Sequence, residues 1–205
     1  GTAPLLSGNA TVGRLTCNSS SFLTINSGIS LNVVGGFVSN GAVLGSGKIT
    51  LNGASAQTIT GTTGSVANLE LNNISGATIS SSNLLNITGT YTPTRGTLTT
   101  NNGLVLKSSL FSTARIAPGS ASGGYLSGDV VVERYLPGKR AYRFISHPFL
   151  SSIALSGLTD DIDITGNGGA SNGFTSTVTN NPSAFWFDVS TADNSTTGTN
   201  PGWTA

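Results

Sequence analysis

One short phrase keeps returning through the first half of the chain: an aliphatic residue, a polar one, a second aliphatic, then in most copies Asn or Gly. It reads LTINSG at Leu23–Gly28, ITLNGA at Ile49–Ala54, LELNNISG at Leu69–Gly76, LNITG at Leu85–Gly89 and LVLKSS at Leu104–Ser109. The starts lie about 26, 20, 16 and 19 residues apart, an average near 20, which is within the period of a stacked solenoid coil. Between them stand TIT (Thr58–Thr60), ATIS (Ala77–Ser80) and TLTT (Thr97–Thr100), which read as further short strands. Asn-Gly pairs at 40–41, 52–53 and 102–103 mark corners, because both residue types accept the left-handed backbone of tight turns. No segment has helical spacing, and so much Gly and Ser disfavours a helix.

A single coil of this kind cannot bury its inward Leu, Ile and Val side chains. Stacking coils about 4.8 Å apart joins them into one continuous apolar column. The fold expected is therefore all-β: a right-handed parallel β-helix (a solenoid) over residues 8–112, followed by a smaller β-rich module. The Gly/Ser-rich stretch 113–128 reads as a connection, and 129–205 as the second module, incomplete at its C-terminal end. A β-sandwich also gives regular short strands, but the in-phase return of one phrase favours the solenoid.

Composition narrows the function. Charged residues are 8% of the chain and the formal net charge is +1, so nothing pulls the protein electrostatically toward nucleic acid or an anionic membrane. No apolar run approaches the roughly 20 residues of a membrane span, and membrane insertion is not expected. The lone Cys17 permits neither an internal disulfide nor a cysteine-based metal site; it reads as a small buried residue. The chain starts at Gly1 and has no Met, which reads as a processed protein or a piece of a longer one.

Parallel β-helices often carry polysaccharide-cleaving sites, and that chemistry needs grouped carboxylates. Glu70 is the single acidic residue before Asp129, so no catalytic pair is expected in the coils, and His147 has no nucleophile near it in sequence. The chain is read as a non-enzyme with no cofactor. One cluster, TDDIDITGNGG, offers Asp160, Asp161 and Asp163 as weak metal candidates for Ca2+. It departs from the EF-hand pattern, and Asp161 and Asp163 fit equally well as outward residues alternating with inward Ile162 and Ile164. Threonine-rich units suggest an ice-binding plane, but they recur irregularly. The Asn-x-Ser/Thr sites at Asn9, Asn18, Asn73, Asn86 and Asn194 matter only in a glycosylating host.

Aromatic residues gather late. In SAFWFDV, alternation sets Phe185 and Phe187 on one face and Trp186 on the other; one of the two faces is expected to be core, and Trp186 to cover a neighbouring sheet in preference to stacking on a sugar ring. Charges also gather once, in VVVERYLPGKRAYRFISHPF at Val130–Phe149. VVVERY reads as a strand, LPGK as a type II turn with Gly138 at its third position, and RAYRFIS as a returning or continuing strand. Glu133 is expected to pair with a basic residue across that turn. The preferred reading is a joint or cap that blunts an open sheet edge. The other reading is a glycan contact built from Arg134, Arg140 and Arg143 with Trp186 and Trp203.

ITLNGASAQTITG at Ile49–Gly61, VVVERYLPGKRAYRFISHPF, and LTDDIDITGNGGASNGFTSTVTNNPSAFWFD together resemble large secreted surface proteins of the Bacteroidota, the adhesin-like, repeat-rich cargo of the type IX secretion route. The Glu-Arg-Tyr-x-Pro and Lys-Arg-Ala-Tyr-Arg phrases carry most of the likeness, which covers nearly the whole chain. It implies an extracellular, cell-surface location within longer chains, and supplies no catalytic residue. The function expected is a structural or adhesive module, a stiff stalk or building block of a fibre or surface layer. Its partners would be further copies, neighbouring modules of a longer chain, or surface glycans. The alternative is a glycan-binding module of an adhesin; a polysaccharide-active enzyme and an ice-binding protein rank below both.

Overall fold

In a computed structural model the chain forms two compact units, Gly1–Lys139 and Arg140–Ala205. The structure describes residues 4–119, 124–138, 144–146, 151–159, 161–188, 190 and 202–204. The first unit is a β-solenoid of parallel strands. Its chain passes repeatedly over three faces, and each strand pairs with the strand one coil before and one coil after it.

The first face stacks Leu5–Leu6, Phe22–Ile25, Ala42–Leu44, the start of Ser65–Asn72, the start of Leu85–Thr99, Leu104–Leu106 and Val130–Val132. The second stacks Ala10–Val12, Ser30–Val33, Lys48–Leu51, the later part of Ser65–Asn72, the middle of Leu85–Thr99 and Arg115–Ile116. The third stacks Leu15–Cys17, Phe37–Ser39, Gln57–Thr60, Ala77–Ile79, the end of Leu85–Thr99 and Gly124–Ser127.

The period-2 alternation of the sequence selects the inward side of each face. Val12, Val33, Leu51, Leu71 and Pro93 stand in one file on the second face. Leu23, Val43, Val66, Ile87, Leu106 and Val132 stand in another on the first. Leu15, Phe37, Ile59 and Ile79 make a third file, on the third face. These files join into one apolar cluster in which Ile59, Val66, Leu71 and Ile87 are fully buried. Polar side chains lock the corners from coil to coil. The Asn68 amide donates to the Gly47 carbonyl and its oxygen accepts from Thr90 N–H; Asn86 donates to Gly64 and Asn101 to Ile79.

Register corrects the phase read from the repeat. Leu23 and Leu85 belong to the first face, whereas Ile49 and Leu69 belong to the second. The recurring phrase therefore marks two faces, and its unequal spacings mix one full coil with the step from face to face. Register partners lie 18 to 23 residues apart through Leu104, as Ser30 with Lys48 and Ala42 with Ser65. After Leu104 they lie 25 to 28 apart, as Thr90 with Arg115 and Gly96 with Gly124.

Parallel stacking continues past Ser112. The stretch expected as a connection at 113–128 contributes Arg115–Ile116 and Gly124–Ser127, and Val130–Val132 pairs back onto Leu104–Leu106. Coil strands this short need few aliphatic residues, and here Ala114, Leu126 and Val130 fill the inward side. Gly and Ser at the corners made the segment look like a linker.

The end of this unit differs from expectation in one further way. Gly138 does not take a positive φ, so Pro137-Gly138 is not a type II turn. Glu133 reaches back one coil to Lys107, while Lys139, Arg140 and Arg143, the basic residues across the turn, lie outside the described residues. Of the expected returning strand, residues 144–146 carry no strand and 140–143 lie outside the described residues.

In the second unit, regular structure among the described residues is two single-turn 3-10 helices, Leu155–Leu158 and Gly169–Asn172, and an antiparallel pair, Trp186–Phe187 with Trp203–Thr204. Ile164 is the buried aliphatic residue there.

Candidate functional site

The residues singled out by sequence do not assemble into one described site. Arg134 is exposed and its guanidinium donates to the Glu133 carbonyl at 2.8 Å, at the end of the first unit. Arg140, Arg143, Asp160 and His147 lie outside the described residues. In the second unit Phe185, Trp186 and Phe187 are all about half exposed, so neither side of that strand is the core face expected for one of them. The Trp203 backbone pairs with Phe187. Asp161 and Asp163 are exposed while Ile164 is buried and Ile162 half-buried, the alternation expected, but on irregular backbone following a 3-10 turn. Among the described residues no three of His, Cys, Asp and Glu come together, and no helix is long and apolar enough to cross a membrane. Cys17 is buried in the third face, and burial pushes its thiol pKa up.

Two polar arrays do form on the solenoid. On the third face Thr58, Thr78 and Thr99 stand in register in consecutive coils, followed by Ser127. The TIT and TLTT units are thus more orderly than their sequence spacing suggests. The neighbouring file is broken by Val38 between Thr16 and Thr60, so the hydroxyl array stays one file wide and short of a plane. On the second face Glu70, the first acidic residue of the chain, meets Lys48 at 2.5 Å and accepts hydrogen bonds from Thr94 at 2.7 Å and Thr50 at 3.4 Å. Burial alone would raise the Glu70 pKa; the Lys48 hydrogen bond, then Thr94, the Lys48 charge and Thr50, outweigh it and hold it below the usual carboxylate value. This cluster is a structural lock between coils, with both charges satisfied.

The sequons divide in the same way. Asn73 is buried, with its amide donating to the Ser55 carbonyl and to Gln57, whereas Asn18 is exposed at a corner.

Sequence reasoning missed a third feature. An open groove of about 470 Å³ runs over the first face, lined by Thr63, Ser65, Asn86, Thr88 and, along one wall, Lys107, Ser108, Ser109 and Ser112. The wall is the longest of the loops that lead from the first face to the second. Three residues separate Ile87 from Tyr91 and seven separate Leu23 from Leu31, but nine separate Leu106 from Ile116, the corresponding register positions. That difference was readable only once the coil phase was known. Lys107 forms an ion pair with Glu133, whose other oxygen accepts from Ser108 N–H.

The chain matches no protein-family model, no curated protein and no solved structure. The geometry therefore carries the functional reading.

Proposed function

We propose that the chain is an extracellular structural and adhesive module, a stiff β-solenoid segment of a cell-surface stalk or fibre. The observation that carries this reading is the continuous apolar column joined to coil-by-coil backbone ladders. Such a stack transmits load along its axis through many equivalent hydrogen bonds, and each coil is supported by its neighbours. The low charge content suits a rod whose cohesion does not depend on ionic conditions. The resemblance of the VVVERYLPGKRAYRF stretch to secreted Bacteroidota surface proteins points to the same setting, with type IX export as the route and neighbouring modules or further copies as partners. No catalytic residue is required by this role.

The test is immunogold labelling of intact source cells with antibody to the purified chain, alongside the intact mass of the native polypeptide. Label on unpermeabilised cells, along projecting material, is expected. Label that appears only after permeabilisation would overturn the surface assignment. The native mass separates a self-standing subunit from one module of a longer adhesin.

A further inference from the structure

We propose that the groove between the 107–113 loop and the first face of the solenoid binds a neutral oligosaccharide. The first argument is the placement of the loop. In stacked-repeat proteins, extra residues within one repeat map to a loop on one face, often the binding face. Two to seven residues separate the first-face and second-face register positions in the coils from Leu23 to Tyr91, as Val66 to Leu69 and Leu23 to Leu31, but nine separate Leu106 from Ile116, and this longest corner borders the groove.

The second argument is how the loop is held. Ser108 and Thr113 form an antiparallel bridge with their hydroxyls 2.9 Å apart, and Ala114 N–H donates to the Lys107 carbonyl at 2.8 Å. Above them Ser109 N–H donates to the Ser112 carbonyl at 2.8 Å, and the Ser109 hydroxyl accepts from Phe111 and Ser112 N–H. This fixed turn carries Leu110 and Phe111 at its tip, 63% and 92% exposed. An aromatic ring so exposed contributes almost nothing to folding. Neither side chain lines the groove itself, but Phe111 lies in sequence between the wall residues Ser109 and Ser112, where a preorganised ring can meet a sugar that extends past the wall.

The third argument is the chemistry of the lining. The groove volume falls within the roughly 300–1,000 Å³ of small-ligand sites. Its lining side chains carry hydroxyl and amide groups, set among a larger area of apolar carbon surface. Among the described residues the Ser65 and Thr88 hydroxyls and the Asn86 side-chain oxygen have no hydrogen-bond partner, while the Asn86 amide is spent on Gly64. These groups donate and accept alternately, as a polyhydroxylated ligand requires. The one charged residue in the lining, Lys107, is offset by Glu133, so the site has no net charge with which to select an acidic sugar. The proposal goes beyond the scaffold reading, since a scaffold alone needs no ligand.

The test uses the full chain and short neutral oligosaccharides of the cello-, manno- and xylo-series, with acidic uronate oligomers as a parallel probe, read by calorimetry and by chemical-shift changes. Binding to at least one neutral series is expected, with little change on adding salt. Thr88→Tyr places a ring over the groove floor and should weaken binding about tenfold or more; Phe111→Ala should weaken it about fivefold. Thr88 is half-buried and Phe111 exposed, so thermal melting of both variants should match the parent. Absence of binding to every neutral series would overturn the proposal. So would unchanged affinity in both variants, or binding confined to uronates and lost in salt. Surface labelling of cells reports independently on the scaffold reading, so either conclusion can fail without the other.

Discussion

Two buried polar side chains, Gln57 and Tyr91, show opposite solutions to the same problem, and they predict opposite mutational outcomes. Gln57 is almost fully buried and saturated: its amide donates to the carbonyls of Val33 at 2.8 Å and Gly35 at 2.7 Å, and its oxygen accepts from Gly53 N–H at 2.9 Å and from Asn73 at 3.0 Å. Gln57→Leu keeps the size but leaves the Gly53 N–H and the Gly35 carbonyl without a partner, while Val33 keeps Asn52 and Asn73 keeps Ser55; each group so stranded costs on the order of 1–3 kcal/mol. Destabilisation of at least about 2 kcal/mol by denaturant titration is expected. Tyr91 is fully buried in the apolar column and its hydroxyl has no partner. Burial pushes its pKa far up, since a phenolate there would be desolvated. Tyr91→Phe removes an unsatisfied hydroxyl and leaves the packing intact, so the variant should be as stable as the parent or more stable by about 1 kcal/mol. A loss beyond about 1 kcal/mol would mean that the hydroxyl is satisfied in solution.

At the scale of strands and coils, the Glu70 lock makes a pH prediction with a definite sign. Its folded-state pKa is depressed below the unfolded value. The stability it contributes is therefore present in full above the unfolded value, near 4.3, and is lost as pH falls through the lower folded value. Glu70→Gln should destabilise by roughly 1 kcal/mol at neutral pH, a modest figure because Lys48 is half exposed to solvent. The gap between variant and parent should narrow as pH falls below the unfolded value and close once the folded carboxylate is protonated; a gap that stays constant through the whole acid titration would show that charge is not the operative feature. The same strand shows what the sequence made legible. Leu69 and Leu71 announce an inward pair by alternation, and so do Ile49 and Leu51 or Leu85 and Ile87. Every face needs such a pair, however, so alternation identifies strands without saying which face they join. Faces are fixed by corners and by register, which hydrogen bonds between coils decide. The groove was hidden for the same reason: Ser65, Asn86 and Lys107 are far apart in sequence and meet only when the coils stack. Trp186 and the Arg134 region stood out by residue type alone, and type does not bring side chains together.

At the scale of the whole solenoid, cohesion is a sum of contacts between neighbouring coils, and this sets both its response to salt and the order in which it opens. Its two ion pairs among the described residues, Lys48–Glu70 and Lys107–Glu133, are each partly solvent-exposed, and exposed pairs contribute less than about 1 kcal/mol apiece. Raising NaCl from about 0.05 to about 1 M screens them without touching the apolar column, so the melting temperature should move by only a few degrees. A collapse of melting in moderate salt would show that charge holds the rod together. Hydrogen exchange reads the same principle coil by coil. Val66, Leu71 and Ile87 lie on strands paired on both sides and are fully shielded from solvent. Leu5–Leu6 pairs only with Phe22–Ile25, and Leu5 is 60% exposed. If stability is built from nearest-neighbour terms, amides of the inner coils should exchange slowest and those of Leu5–Leu6 and Ala10–Val12 fastest, with a gradient between them. Equal protection across all coils would mean instead that the stack opens as one cooperative unit.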